Sequence, residues 1–112
     1  MEKLLDVLKA LSDETRLRIL SLLYEKELCV CDIMATLQIS QAKASRHLIY
    51  LKNAGLVKDR KYAQWTYYSM SKDDQMKFID SLVYDNLRSL EPYKTDLQNL
   101  NERLSSENIL CN

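Results

Sequence analysis

The sequence is short of residues that loosen a chain. It has one glycine and one proline, which leaves no material for long flexible linkers. It has a single histidine, so a histidine-rich metal cage is excluded. It has no long apolar run: stretches such as Leu22-Leu23-Tyr24 are far too short to span a bilayer. The segment Met1-Glu2-Lys3-Leu4-Leu5-Asp6 sets acids among its apolar residues, unlike a secretory signal. These absences point to the reducing cytoplasm and to no membrane partner. There, three cysteines suggest metal or redox chemistry more readily than structural disulfides. What remains is an ordinary globular balance, 46% hydrophobic and 29% charged over 112 residues. That suits one domain, residues 1–112, small enough to gain stability from dimerisation.

A surplus of charge is also missing, since the formal net charge is zero. The distribution is polarised nonetheless. Between Gln41 and Lys61 lie Lys43, Arg46, Lys52, Lys58, Arg60 and Lys61 against one acid, Asp59. A basic stretch of this kind can present one face to phosphates, or it can be a solvated charged face.

Hydrophobic periodicity predicts a mostly helical chain. Leu4, Leu8 and Leu11 mark a first helix over residues 2–10. Ser12 is the expected cap of a second helix reaching about Tyr24, with Leu17, Leu20 and Tyr24 on one stripe. Cys29-Val30-Cys31-Asp32 has capping-box spacing, with cysteine where Ser or Thr is usual. A short third helix follows through Ile33, Met34 and Leu37. Gln38-Ile39 is the turn, Ser40 the next cap, and a fourth helix runs from Gln41 to Asn53 or Ala54. Its core side is Ala44, Leu48 and Leu51, and Gly55 closes it as a left-handed residue. A short helix, a tight turn and a longer capped helix make a helix-turn-helix, residues 32–54. Leu56–Lys61 and Gln64–Met70 read as strands of a hairpin wing, residues 56–70, turning at Tyr62-Ala63. A fifth helix from Ser71 (Met76, Ile79, Val83, Leu87, Leu90) meets Pro92. A sixth carries Tyr93, Leu97, Leu100 and Leu104, and residues 105–112 form a tail with Cys111. The stripes on residues 1–11 and 72–104 exceed what one small core needs, so these segments are expected to dimerise, the alternative being that they are core. The fold class is therefore mostly α with a β-hairpin wing.

Leu11-Ser12-Asp13-Glu14-Thr15-Arg16-Leu17-Arg18-Ile19-Leu20, Glu27-Leu28-Cys29-Val30-Cys31-Asp32, Ser40-Gln41 to Ser45-Arg46-His47-Leu48, and Gly55-Leu56 together resemble the ArsR/SmtB metalloregulators over roughly residues 4–90. The resemblance implies a homodimeric winged-helix repressor that leaves operator DNA when an ion binds. Glu27–Asp32 is similar to the site of the arsenite and antimonite sensors, and also to that of relatives sensing cadmium or lead. One departure stands out: where such arsenite sensors carry a third cysteine, this chain has Met34. Three completions compete: solvent or an exogenous thiol, Cys111 from either chain, or a different ion. The C-terminal helices hold no histidine, so the family's carboxylate/histidine zinc site is not expected.

The residues assign roles within that frame. Helical geometry is read as turning Gln41, Lys43, Ser45, Arg46 and His47 away from the core stripe. Gln41 suits adenine, and Arg46 suits guanine or a phosphate. Arg60, Lys61 and Gln64 flank the wing tip and reach a minor groove or phosphates, or are merely solvated. Two copies bind half-sites about one DNA turn apart. Cysteine thiolates select soft ions, and a helix N-terminus favours thiolate. Cys29 and Cys31, two apart on an ideal helix, point about 200° from each other. They share one ion only if Cys29 keeps non-helical cap geometry or the helix start unwinds. The leading expectation is release by As(III) or Sb(III). Cd(II) or Pb(II) sensing, a thiol-redox switch, constitutive DNA binding and an interaction module are the alternatives. An enzyme is not expected: no oxyanion-hole glycines accompany Cys29 and His47.

Overall fold

The structure is a computed structural model that describes residues 2–71 and 76–105. Its elements are α1 (Glu2–Leu11), α2 (Glu14–Glu25), β1 (Leu28–Cys29), α3 (Val30–Leu37), α4 (Gln41–Asn53), β2 (Val57–Tyr62), β3 (Trp65–Met70), α5 (Met76–Asp80) and α6 (Tyr93–Leu104). A π-helical segment, Ser81–Leu87, continues α5. Among the described residues, three antiparallel strands form one sheet in the order β1-β3-β2.

Local chemistry explains most boundaries. Asp13, not Ser12, caps α2: its carboxylate accepts from the Arg16 N–H at 3.0 Å. Ser12 instead donates its hydroxyl back to the Lys9 carbonyl and closes α1. A carboxylate is the better acceptor for an N-terminal amide, which is why the cap falls one residue later than the sequence suggests. Ser40 caps α4 as expected, accepting from the Lys43 N–H at 3.1 Å. Gln38 takes the left-handed turn (φ 57°). Gly55 sits at φ 81°. A Cβ there would meet only Lys3 Cε, at 3.9 Å, so glycine is needed for its backbone angle and not for space.

The wing pairs Val57 with Met70 through Tyr62 with Trp65. Its two-residue turn is therefore Ala63-Gln64, one position beyond the expected one, with Ala63 at φ 57°. The positive φ suits the right-handed twist of the strands. β1 has no counterpart among the expected elements, because two residues carry no periodicity. It pairs Leu28 with Tyr68 and Cys29 with Tyr67.

The core joins α2, β1, α3 and α4 through Ile19, Leu20, Leu22, Leu28, Ile33, Leu48 and Leu51, all at most 1% exposed. Burial of each large side chain contributes about 2 kcal/mol. In α1, Val7, Ala10 and Leu11 are buried, whereas Leu4, Leu5 and Leu8 are about half exposed. α6 packs on α2 and α3, burying Tyr93, Leu100 and Asp96 within the protomer. No described helix is long and apolar enough to cross a membrane.

Candidate DNA-reading face and thiol site

The face of α4 that looks away from the core carries Gln41 and Arg46 exposed, with Lys43 and Ser45 half-buried. His47 departs from the sequence reading. It is 7% exposed, with Nδ1 3.8 Å from an Asp13 oxygen and 3.4 Å from Arg16 Nη1. The reason is geometric: position 47 lies three residues from Ala44 and four from Leu51, on the buried stripe itself. Burial holds the imidazole below its usual value, against the opposing pull of Asp13. The amide of Arg16 holds the Asp13 carboxyl low. Arg16, which carries no role in the sequence reading, packs its guanidinium 4.0 Å from the centre of the Tyr50 ring. It also donates to the carbonyls of Ala10 and Lys9 at 2.8 and 3.2 Å. It ties α1, α2 and α4 together.

On the wing, Lys61 and Gln64 are exposed. Arg60 is exposed too, but its guanidinium is engaged. It donates two hydrogen bonds to Glu27, at 2.8 and 2.7 Å, and lies 5.0 Å from the Tyr67 ring centre. The hydrogen bonds from Arg60 hold the Glu27 carboxyl low. Lys52 pairs with Asp59 at 3.1 Å. The basic excess of this stretch therefore rests on Lys43, Arg46, Lys58 and Lys61.

The second site lies where β1 meets α3. Cys29 has extended cap geometry (φ −73°, ψ 150°) because it still belongs to the strand. Both halves of the capping box are made, and the Cys29 N–H donates to Asp32 at 3.2 Å. This backbone resolves the angular difficulty of an i, i+2 pair: the sulfurs of Cys29 and Cys31 converge to 3.4 Å. Cys29 is buried. Cys31 is half-buried and disulfide-bonded. Arg103, from the last turn of α6, donates to Asp32 Oδ1 at 3.0 Å and points Nη2 at Cys31 Sγ, 3.9 Å away. No sequence signal marks Arg103, since it stands 71 residues from Asp32. Among the described residues no group of three or more His, Cys, Asp or Glu side chains is placed to hold a metal. Cys111 lies outside the described residues.

A capped helix-turn-helix, followed by a hairpin that extends from the same core, defines a winged-helix DNA-binding regulator. Residues 13–59 match the model of the bacterial regulatory proteins of the arsR family. Similarity extends well beyond that segment. The chain is 35% identical over 111 residues to the arsenic resistance transcriptional regulator ArsR2 of Pseudomonas putida, covering 95% of this chain and 96% of that one. It is 50% identical over 68 residues to the arsenical resistance operon repressor of Escherichia coli, 60% of this chain and 58% of the relative. Among solved structures, the homodimeric winged helix-turn-helix DNA-binding domain Mb0332 of Mycobacterium bovis superposes with a TM-score of 0.68. It is 28% identical, over 80% of this chain and 86% of that one. The chain belongs to the arsR family: it is a DNA-binding transcriptional regulator and not an enzyme.

Proposed function

We propose that this regulator is a repressor that holds operator DNA as a homodimer and lets go when As(III) or Sb(III) is taken up by Cys29 and Cys31. The observation that carries the reading is the 3.4 Å separation of the two sulfurs. An ion bonded to both at about 2.3 Å, the length of a thiolate–metal bond, would subtend an angle of roughly 95°. That is narrower than a tetrahedron, and it suits a pyramidal ion with a lone pair. The relatives named for arsenic resistance support the same choice of ion. Ion binding needs Cys31 reduced. α6 ends beside Cys31, and Cys111 follows Arg103 by eight residues. An extended chain of that length reaches about 27 Å, so Cys111 is our candidate for the third sulfur.

In this reading Gln41, Ser45 and Arg46 face the base edges, and Lys43, Lys61 and Gln64 face phosphates or the minor groove. Arg60 contributes only by leaving Glu27, and His47 supports α4 from behind. The half-exposed Leu4, Leu5 and Leu8 of α1, with exposed Phe78 and Leu90, offer an apolar surface to the second copy.

Fluorescence anisotropy of the reduced protein on its own promoter tests the proposal. Arsenite should raise the dissociation constant for the parent and leave it unchanged for the Cys29→Ser/Cys31→Ser double variant. Release of the double variant at the same arsenite concentration would remove the reading. The disulfide at Cys31 favours one second reading, a thiol-redox switch on the same scaffold. Release by a mild oxidant without any added ion, in the same assay, would support it.

A further inference from the structure

Two ion pairs hold α6 against the rest of the protomer, and they differ in what they touch. Near its start, Asp96 is 2% exposed and accepts two hydrogen bonds from Arg18 of α2, both 2.8 Å. Seven residues later, about 10.5 Å along the helix, Arg103 reaches α3. Its Nε–Asp32 bond of 3.0 Å joins side chains only 22% and 13% exposed, and its other arm points at Cys31 Sγ. The first pair involves no group that an inducer would touch. The second pair shares one partner with the proposed ion site and the other with the capping box that fixes the start of α3.

We infer that Arg103 is the positioning residue through which α6 responds to the thiol pair; the inference rests on the ion-binding reading above. A soft ion bonded to Cys31 would draw off the sulfur electron density that faces the guanidinium. Arg103 then keeps Asp32 alone, and the C-terminal end of α6 loosens about the fixed Arg18–Asp96 end. From α3, whose start Arg103 braces through Asp32, the change has a short physical route to the recognition helix, because α3 packs directly against α4. Such a route is a claim about coupling and needs a coupling measurement.

The measurement compares reduced full-length parent, Arg103→Met and Arg103→Lys. Arsenite uptake is read from the near-ultraviolet absorbance of the arsenic–sulfur bonds, operator affinity from anisotropy with and without arsenite, and α6 mobility from amide hydrogen exchange. Arg103→Met should bind arsenite, and should bind the operator within about twofold of the parent when arsenite is absent. The factor by which arsenite weakens operator binding should fall about tenfold. Arg103→Lys should recover part of it. In the parent, arsenite should speed exchange at residues 101–105 and spare those around Asp96. Equal arsenite factors in Arg103→Met and parent would overturn the inference. So would α6 exchange in the parent that ignores arsenite, a result that holds even if the methionine variant folds poorly. Failure of the parent to take up arsenite would instead overturn the ion-binding reading beneath it.

Discussion

The helix-turn-helix has two helix starts with nearly the same backbone and different chemistry. Cys29 and Ser40 both cap from the extended region, at φ −73°, ψ 150° and φ −70°, ψ 160°. Ser40 offers a strong oxygen acceptor and caps α4 in the usual way. Cys29 offers sulfur, a weak acceptor, and leans on Asp32 to complete the box. The two starts are also braced from different sides. Asp32 and Cys31 in α3 meet Arg103 of α6, while His47 in α4 meets Asp13 and Arg16 of α2. A cap therefore costs little to build from a poor acceptor when a neighbouring carboxylate shares the task. The sulfur is then available for chemistry that an oxygen cannot do.

Substitutions on either side of this contrast should differ widely in effect. Cys29→Ser alone should abolish release by arsenite, while changing stability by no more than about 1 kcal/mol. Anisotropy and thermal unfolding of one preparation check both halves, and an intact arsenite response would erase the distinction between the caps. Asp96→Asn, which leaves Arg18 without its buried carboxylate, should cost about 3 kcal/mol in urea unfolding. A loss near zero would mean that α6 is held by its apolar contacts alone. Ser40→Ala should cost about 1 kcal/mol and leave the arsenite response in place. The smallest effect concerns pH. Burial lowers the folded-state pKa of His47, so the unfolded chain takes up the proton first as pH falls. The stability His47 contributes is therefore fully present above about pH 6.5 and is lost as pH falls from there through the lower folded-state value. His47→Gln should flatten the dependence of the urea midpoint between about pH 7 and pH 5, and an unchanged slope would argue that another group titrates.

Elements with many repeats of one physical signal are legible in the sequence. The α4 stripe Ala44, Leu48 and Leu51, all 0% exposed, follows from helical spacing. Gly55 at positive φ follows from glycine's lack of a Cβ. The capping-box spacing at Cys29–Asp32 is enough to mark the start of α3. Features that the sequence misplaces lie where two local candidates compete. Ser12 and Asp13 can both cap, and only acceptor strength and the approach of α2 separate them. The wing turn falls one residue later than expected because no Asn-Gly pair pins it. His47 reads as part of the DNA face, although its spacing from Ala44 and Leu51 already puts it on the buried side.

The order of amino acids on its own thus specifies the helices, the hairpin, the polarised charge and the pairing of two cysteines beside a helix start. Each depends on residues within about one or two turns of each other, where spacing translates directly into direction. The remaining features arise only when distant segments pack together. The strand partner that keeps Cys29 extended is Tyr67, the guanidinium beside Cys31 comes from residue 103, and Arg60 is drawn to Glu27. These contacts join residues more than thirty positions apart, and no local spacing encodes which distant charge or strand the folded core brings alongside.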